Sequence, residues 1–409
     1  MSVITIVGGG AAGFFAAITC AEAASGRQVI LLERGKSVLE KVRVSGGGRC
    51  NVTHACFEPR DLIRNYPRGS RELLGPFMSF GPADTVEWFQ RRGVALKTEG
   101  DGRMFPVTDS SATIVHCLTE AARRAGVQIC TGSRVSSFSP MDNNRWSVHL
   151  AEKPQAIICD QLLITTGSSQ AIWQHLQHLG HTIVPPVASL FTFNTKDTRL
   201  RDLAGISVPD VCVSAVGFDL KAEGPLLITH QGLSGPAVLR LSAWGARDLH
   251  DCNYRFSLLI QWTGRRTRTE VAAVLQGMKH THARKGVASI APFALPVRLW
   301  QRLSEAVRLP DALRWADVSK GQLEALCTQL CACEMPIFGK NTFKEEFVTA
   351  GGVSLREMNF KNFSSRLFPG LFLAGEVLDI DAITGGFNFQ AAWTGGWLAG
   401  KAMGESSIL

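Results

Sequence analysis

The 409-residue sequence is short of the features that would take it out of the ordinary globular class. It has no run of about 18 apolar residues, which argues against a membrane-spanning helix. Its apolar opening, MSVITIVGGGAAGFFAAITCAEAASG, lacks a basic leading segment and runs straight into QVILLER, so it does not read as a signal peptide. The eleven cysteines follow no spaced framework and are odd in number, which points to reduced thiols in a cytoplasmic protein rather than to a disulfide scaffold. Internal repeats and low-complexity linkers are also missing. With 45% hydrophobic and 19% charged residues, the chain is neither disordered nor fibrous. At this length one hydrophobic core stops growing, so two or more domains are expected.

What the sequence does hold is glycine, forty of them, grouped where a turn or a ligand would need them. The apolar run VITIV (3–7) leads at once into Gly8-Gly9-Gly10-Ala11-Ala12-Gly13. An Ala-rich helical pattern (11–25) and the strand-like QVILLE (28–33) follow. Strand, G-x-G-x-x-G, helix, strand and acid form a dinucleotide-binding fingerprint, with Glu33 twenty residues after Gly13. Gly8 makes the tight turn, Gly10 lets the backbone approach a pyrophosphate, and Gly13 lets helix and strand pack. The helix amino terminus supplies N–H groups to phosphate. Glu33 can accept hydrogen bonds from an adenosine ribose.

Two later stretches belong with this unit. DQLLITTGSS (160–169) reads as a returning strand ending in Thr165-Thr166-Gly167. GLFLAGEVLD (370–379) reads as a strand ending in Gly375-Glu376, and GGFNFQAAWTGGWLAGKA (385–402) as a glycine turn opening a helix. This arrangement resembles flavoproteins with two dinucleotide-binding domains, where such a carboxylate holds the ribityl chain and the last helix points at the flavin ring. That resemblance selects FAD over NAD. No second G-x-G-x-x-G is present, so a nicotinamide donor, NAD(P)H, would bind transiently and by other means.

Between about 188 and 335 the character changes. SLFTFNT, VCVSAVGFDL, PLLITH and YRFSLLIQW are β-type runs, and RTEVAAVLQGMKH, PVRLWQRLSEAVRL and SKGQLEALCTQL are helical. The expected fold is α/β: a Rossmann-like FAD-binding domain of glutathione-reductase type (1–187 and 336–409), interrupted by an inserted substrate domain (188–335). The insert reads as a β-barrel-like part (188–265) with a helical subdomain (266–330). In THQGLSGPAVLRLS (229–242) the G-x-S-x-G spacing of a hydrolase elbow is not met, and Ser234 reads as a helix cap with Pro236 in the first turn. Cys327, Cys331 and Cys333 lack a fourth ligand at a usual spacing and fit a buried helical stripe, so no metal is expected. Seven basic residues between Arg255 and Lys285 face a single acid, Glu270. They form either an RNA-contacting patch or a solvated helix face.

GGGAAG near the start, SGGGRCNVTH (45–54), GDGRMFPVTDSSATIV (100–115), THQGLSGPAVL (229–239) and GEVLDIDAITGGFNFQAAWTGG (375–396) together resemble the YhiN/BaiN-like family of FAD flavoproteins, within the glutathione-reductase-like superfamily. The likeness covers nearly the whole chain. It implies FAD held by Gly8, Gly10, Ala11, Ala12, Gly13 and Glu33, with Arg34 beside the ribose and Val135 touching adenine through its backbone. Lys41, Ser45, Gly46, Gly47, Gly48, Arg49, Cys50 and Asn51 would run along the pyrophosphate and flavin. Thr166 and Gly167 end the returning strand. Gly375, Glu376, Gly385, Gly386, Phe387, Asn388, Gln390 and Ala391 would close over the ribityl chain and ring. One departure stands out: a glycine-rich segment common in relatives after the Thr-Gly strand end is shortened here.

The family association implies flavin N5 hydride chemistry, in particular reduction of a carbon–carbon double bond, with uridine of ribosomal RNA as the favoured substrate. A small-molecule oxidase or reductase acting on an amine or steroid-like substrate, and a non-catalytic flavin-binding regulator, are the alternatives. Cys50 is the candidate proton donor. Its neighbour Arg49 could lower its pKa, or the thiol could simply pack beside the flavin. Five residues separate Cys50 and Cys56, which does not match the C-x4-C pair of a disulfide reductase.

Overall fold

The structure, a computed structural model, describes residues 2–23, 26–151, 153–310, 312–341 and 348–406. It divides into two compact units, residues 1–187 with 344–409 and residues 188–343.

The first unit is built on a seven-stranded sheet whose parallel part runs in the order Leu371–Leu373, Gln161–Ile164, Val3–Val7, Gln28–Leu32, Gln128–Cys130. Met358–Asn359 and Ser364–Ser365 extend one edge antiparallel. The strands are short β-branched and leucine runs buried on both faces, as parallel strands covered by helices must be. In register, Ile6 lies opposite Leu31 on one side and Leu163 on the other. Chain order and sheet order differ, which brings the carboxyl ends of strands far apart in sequence to one rim. That rim is where ligands bind in open α/β sheets.

Two helices cross close together behind this rim. The first, Ala11–Ala23, is buried along most of its length, and residues 24 and 25 of its sequence pattern lie outside the described residues. The terminal helix, Phe387–Glu405, packs against it through small residues. A Cβ at Gly396 would lie 2.4 Å from Ala12 O, and one at Gly400 would lie 2.4 Å from Ala16 O. Only glycine lets the two backbones touch there.

The second unit is an antiparallel sheet in the order Cys333–Ile337, Phe256–Gln261, Ser207–Ala215, Leu220–Thr229, Gly232–Ser234, Thr192–Asn194, Gly339–Asn341. The two edge strands of that order are joined in sequence by Phe338 alone, so the sheet has to curl until its edges meet. The helices Arg268–Thr281, Val297–Ala306 and Lys320–Cys331 share one hydrophobic core with the sheet, centred on Trp262, Trp300 and Trp315. They are a cover on the barrel rather than a separate subdomain.

Three local expectations are corrected. VCVSAVGFDL is not one strand: it turns at Val216–Asp219, where Gly217 takes φ +85° and two strands meet as a hairpin. The cap of Pro236–Trp244 is Gly235, not Ser234, which ends the preceding strand. A Cβ at Gly235 would meet Leu227 N and Pro225 O at 2.8 Å, and its φ is +93°. Finally, strands Cys333–Ile337 and Gly339–Asn341 carry the insert's sheet past residue 335.

Candidate functional site

At the rim of the first sheet three glycines of the fingerprint have different surroundings. Gly8 has φ +113°, and a Cβ there would sit 2.5 Å from Thr165 O. A Cβ at Gly13 would sit 1.9 Å from Gly8 O. These two are required by the protein's own packing. Gly10 has nothing within 4 Å of such a Cβ. The open space lies over the amino terminus of Ala11–Ala23, where unpaired N–H groups and the helix dipole favour a phosphate.

Glu33 ends the second strand and turns its carboxylate back to this rim. Its Oε2 accepts from Gly9 N (2.8 Å) and its Oε1 from Gly35 N (2.7 Å). Arg34 beside it is exposed. Ser133 N donates to Glu33 O at 2.8 Å and Gly132 N to Gly35 O at 2.9 Å. This tie carries the chain into Val135, the half-buried first residue of the meander strand Val135–Pro140. Across the rim, Thr166 has a buried hydroxyl with no hydrogen-bond partner among the described residues, an orphan that a bound polar group would satisfy. A Cβ at Gly167 would lie 3.5 Å from Glu376 Oε2, and one at Gly375 would lie 3.2 Å from Ala12 Cβ. Lys41 Nζ reaches Glu376 Oε2 at 2.6 Å. Residues 8–13, 33, 41, 166–167 and 375–376 therefore converge on one crevice, although they come from five separate stretches. After Gly167 the chain enters the helix Gln170–Leu179 almost at once.

Residues 45–51 form a further wall. Helix Glu40–Gly48 is helical only in its first part. Ser45 is extended, and Gly46, Gly47 and Gly48 follow with φ of +58°, +68° and +84°. All three glycines are exposed, and Cβ atoms at Gly47 and Gly48 would meet nothing within 4 Å. Three successive left-handed residues turn their backbone toward open space, a shape suited to a ligand and not to packing. The segment is docked on the terminal helix behind it. Asn51 accepts from Gly386 N at 3.0 Å and donates to Thr53 O at 3.0 Å. Trp393 Nε1 donates to Val52 O at 2.9 Å. Gly386, φ +90°, presses on Thr53 O, where a Cβ would come within 2.6 Å. His54 stacks on Phe387 at 4.6 Å between ring centroids.

Several candidate contacts are not where the sequence suggested. Arg49 lies 4.0 Å over the Phe105 ring and pairs with Glu99 (2.6 Å) and Asp109 (3.5 Å). Its guanidinium is held charged mainly by the hydrogen bond to Glu99, so it serves this small acidic cluster. The Cys50 side chain is 0% exposed, enclosed by the protein's own atoms. Burial pushes its thiol up to about 12, against a smaller opposing effect of the hydrogen bond with Ser45. The expectation that Arg49 activates Cys50 as a thiolate is thereby overturned. Gln390 is also fully buried: its Oε1 accepts from Thr53 Oγ1 (2.6 Å) and Thr85 Oγ1 (3.0 Å), and its Nε2 donates to Thr394 Oγ1 (3.1 Å). Its backbone N donates to Gly386 O, so Gln390 is engaged within the protein core. Asn388 closes a two-way bond with the Ala382 main chain (2.9 and 3.1 Å) and shapes the loop rather than a ligand. Replacing Cys50 with Ala is expected to leave bound flavin and turnover near wild type, with a stability loss of roughly 1 kcal/mol. A drop of more than tenfold in kcat with flavin retained would restore Cys50 as a catalytic group.

No local pattern in the sequence marks the clamp that holds this loop. Arg68 forms a bidentate ion pair with Asp381, whose side chain is completely enclosed. Tyr66 Oη donates to Phe387 O at 2.6 Å, and Ile383 N donates to Asn65 O at 3.0 Å. Asp381 stands inside a glycine-rich motif that drew attention, but its partner is more than three hundred residues away.

Comparison with known proteins identifies the family. The HI0933-like protein Rossmann domain model matches residues 2–402. A relative from Escherichia coli, named a ribosomal RNA dihydrouridine synthase, is 29% identical over 96% of this chain and 95% of its own. One from Clostridium scindens, named a 3-dehydro-bile acid delta(4,6)-reductase, is 28% identical over 99% of this chain and 100% of its own. Among solved structures, a 3-ketosteroid-delta4-(5alpha)-dehydrogenase from Rhodococcus jostii shares the fold, with TM-score 0.53 and 15% identity over 99% of this chain and 97% of that one. No helix among the described residues is long and apolar enough to cross a membrane.

Proposed function

The chain belongs to the HI0933-like Rossmann-domain family and is an FAD-dependent oxidoreductase, and from that premise we propose that it saturates the C5=C6 bond of a uridine in ribosomal RNA. The choice of bond rests on the full-length relatives, whose names describe saturation of a carbon–carbon double bond in two unrelated substrates. The choice of RNA rests on one observation in the second unit. Lys221, Arg265, Arg266 and Arg268 surround a crevice of about 560 Å³, with Glu223 as its one carboxylate. Arg255, Arg284 and Lys285 are exposed and carry no ion pair among the described residues. Lys279 leaves this set because its ammonium donates to Val318 O, and Lys221 joins it from the strand Leu220–Thr229. Such a surface suits phosphodiesters.

When bound, FAD supplies hydride transfer at its N5 atom. The chain's residues bind and orient it. The N–H groups beginning at Gly10 and Ala11 would receive the pyrophosphate, Glu33 and Arg34 the ribose, and the main chain of Val135 the adenine. Thr166, Gly167, Lys41 and Glu376 would hold the ribityl region, and Gly46–Gly48 and Gly385–Phe387 the ring. Saturation places one hydride and one proton on adjacent carbons, and the proton comes from a group that substrate can reach, which excludes Cys50. A nicotinamide donor supplies the electron pair. The eleven free cysteines support a reducing, cytoplasmic setting.

The test is dihydrouridine in ribosomal RNA from a strain lacking the gene, measured by mass spectrometry and restored by the cloned gene. Unchanged dihydrouridine sinks the proposal. With purified protein, contact with about four phosphates of single-stranded RNA predicts roughly 50-fold weaker binding between 50 and 200 mM salt. Salt-independent turnover of a steroid-like enone, without RNA binding, would favour the small-molecule reading.

A further inference from the structure

On the helical flank of the first unit lies a second crevice, of about 480 Å³, outside the FAD path just traced. It is lined by the cations Lys36 and Arg43 and by His116, all exposed and free of ion pairs among the described residues. They come from three separate elements: the loop after the second strand, the turn Glu40–Gly48 and the helix Ser111–Arg124. The elements are tied together, so the cations are held around a formed crevice. Ser111 Oγ donates to Arg43 O at 2.7 Å, and Gly132 N donates to Gly35 O at 2.9 Å. Glu120, one turn beyond His116, is occupied by Arg123 at 3.0 Å. The hydroxyls of Ser37, Thr119 and Thr131 line the same space, and Val115 and Ile129 give it an apolar floor.

We propose that this crevice binds a phosphate monoester on an adenine nucleotide, specifically the 2′-phosphate side of an NADPH-type donor. Two cations, a histidine and the hydroxyls of Ser37 and Thr131 lining one crevice exceed what a singly charged phosphodiester calls for. A monoester carries close to two negative charges and three strong acceptor oxygens. The apolar floor suits the face of a base. The inference rests on the reading that a nicotinamide donor reduces the flavin. It explains how such a donor is held without a second glycine fingerprint.

The flavin-loaded protein is titrated by calorimetry with 2′,5′-ADP, 5′-AMP and inorganic phosphate, with no turnover involved. The expected result is that 2′,5′-ADP binds at least tenfold more tightly than either of the others. Lys36→Ala with Arg43→Ala should weaken it by roughly 10- to 100-fold, the usual range for losing charge-assisted contacts. The same variant should keep its flavin absorbance and raise the KM for NADPH while leaving that for NADH unchanged. Equal binding of 2′,5′-ADP and 5′-AMP overturns the site. Binding of inorganic phosphate as tight as that of 2′,5′-ADP removes the nucleotide. Loss of flavin from the variant reassigns the crevice to FAD, and an unchanged KM for NADPH removes the donor. His116→Ala, on a different element, repeats the test if the double variant fails to fold. Because binding is read without RNA, failure of the uridine proposal leaves these outcomes untouched.

Discussion

Gly13→Ala is expected to yield a folded but colourless protein. The added Cβ would lie 1.9 Å from Gly8 O and 2.7 Å from Thr165 Oγ1, and the first of these is main chain that cannot swing aside. The helix Ala11–Ala23 must retreat from the first strand, and its amino-terminal N–H groups retreat with it. FAD affinity should fall by about a hundredfold or more, on the order of 3 kcal/mol. Far-ultraviolet circular dichroism should remain close to wild type. Gly10→Ala is the informative companion. Its Cβ meets no protein atom within 4 Å, so the flavin-free protein should melt at the wild-type temperature while FAD binding still weakens. If Gly10→Ala retains full flavin, the pyrophosphate does not lie over that glycine, and the assignment of the crevice fails.

Removing one partner of the Arg68–Asp381 pair should have the largest effect on stability. Asp381 is fully enclosed, and the Arg68 side chain is 14% exposed. Arg68→Met alone, or Asp381→Leu alone, takes the bidentate ion-pair partner from a buried charge, a loss of about 3–5 kcal/mol. In a unit of this size that corresponds to a fall in Tm on the order of 10 °C. Changing both together removes both charges and should recover much of the loss. The pair also ties residues 65–68 to 381–387, so each single variant is expected to release flavin more readily than the double variant. Single variants that melt within about 1 °C of wild type would show that the pair contributes little.

The difference between these two predictions reflects what could be read in advance. Gly8, Gly10, Gly13 and Glu33 are close in sequence, and their spacing reports a local geometry: strand, turn, helix, strand. The buried runs 3–7, 28–32, 161–164 and 371–373 are short and apolar on both faces, a pattern that belongs to covered parallel strands. Other features depend on pairs that no local pattern links. Asp381 resembles any loop acid until Arg68 is seen against it. Cys50 resembles a reactive thiol beside an arginine until burial closes it off and Arg49 is drawn to Glu99 and Asp109. Gln390 sits in a motif expected to touch the cofactor, yet Thr53, Thr85 and Thr394 consume its amide.

For this protein, the sequence by itself determined the dinucleotide fingerprint, the stretches that join it at one sheet rim, and the interrupted order of the chain. Each is written in residues close enough to constrain one another's backbone. Only the tertiary structure decided which glycines face open space and which face protein. It also decided that in the SGGGRCN segment the glycines are exposed and the cysteine is buried, and that Lys36, Arg43 and His116 share a crevice. Those outcomes depend on burial and on contacts between distant segments, and neither exists until the chain has folded.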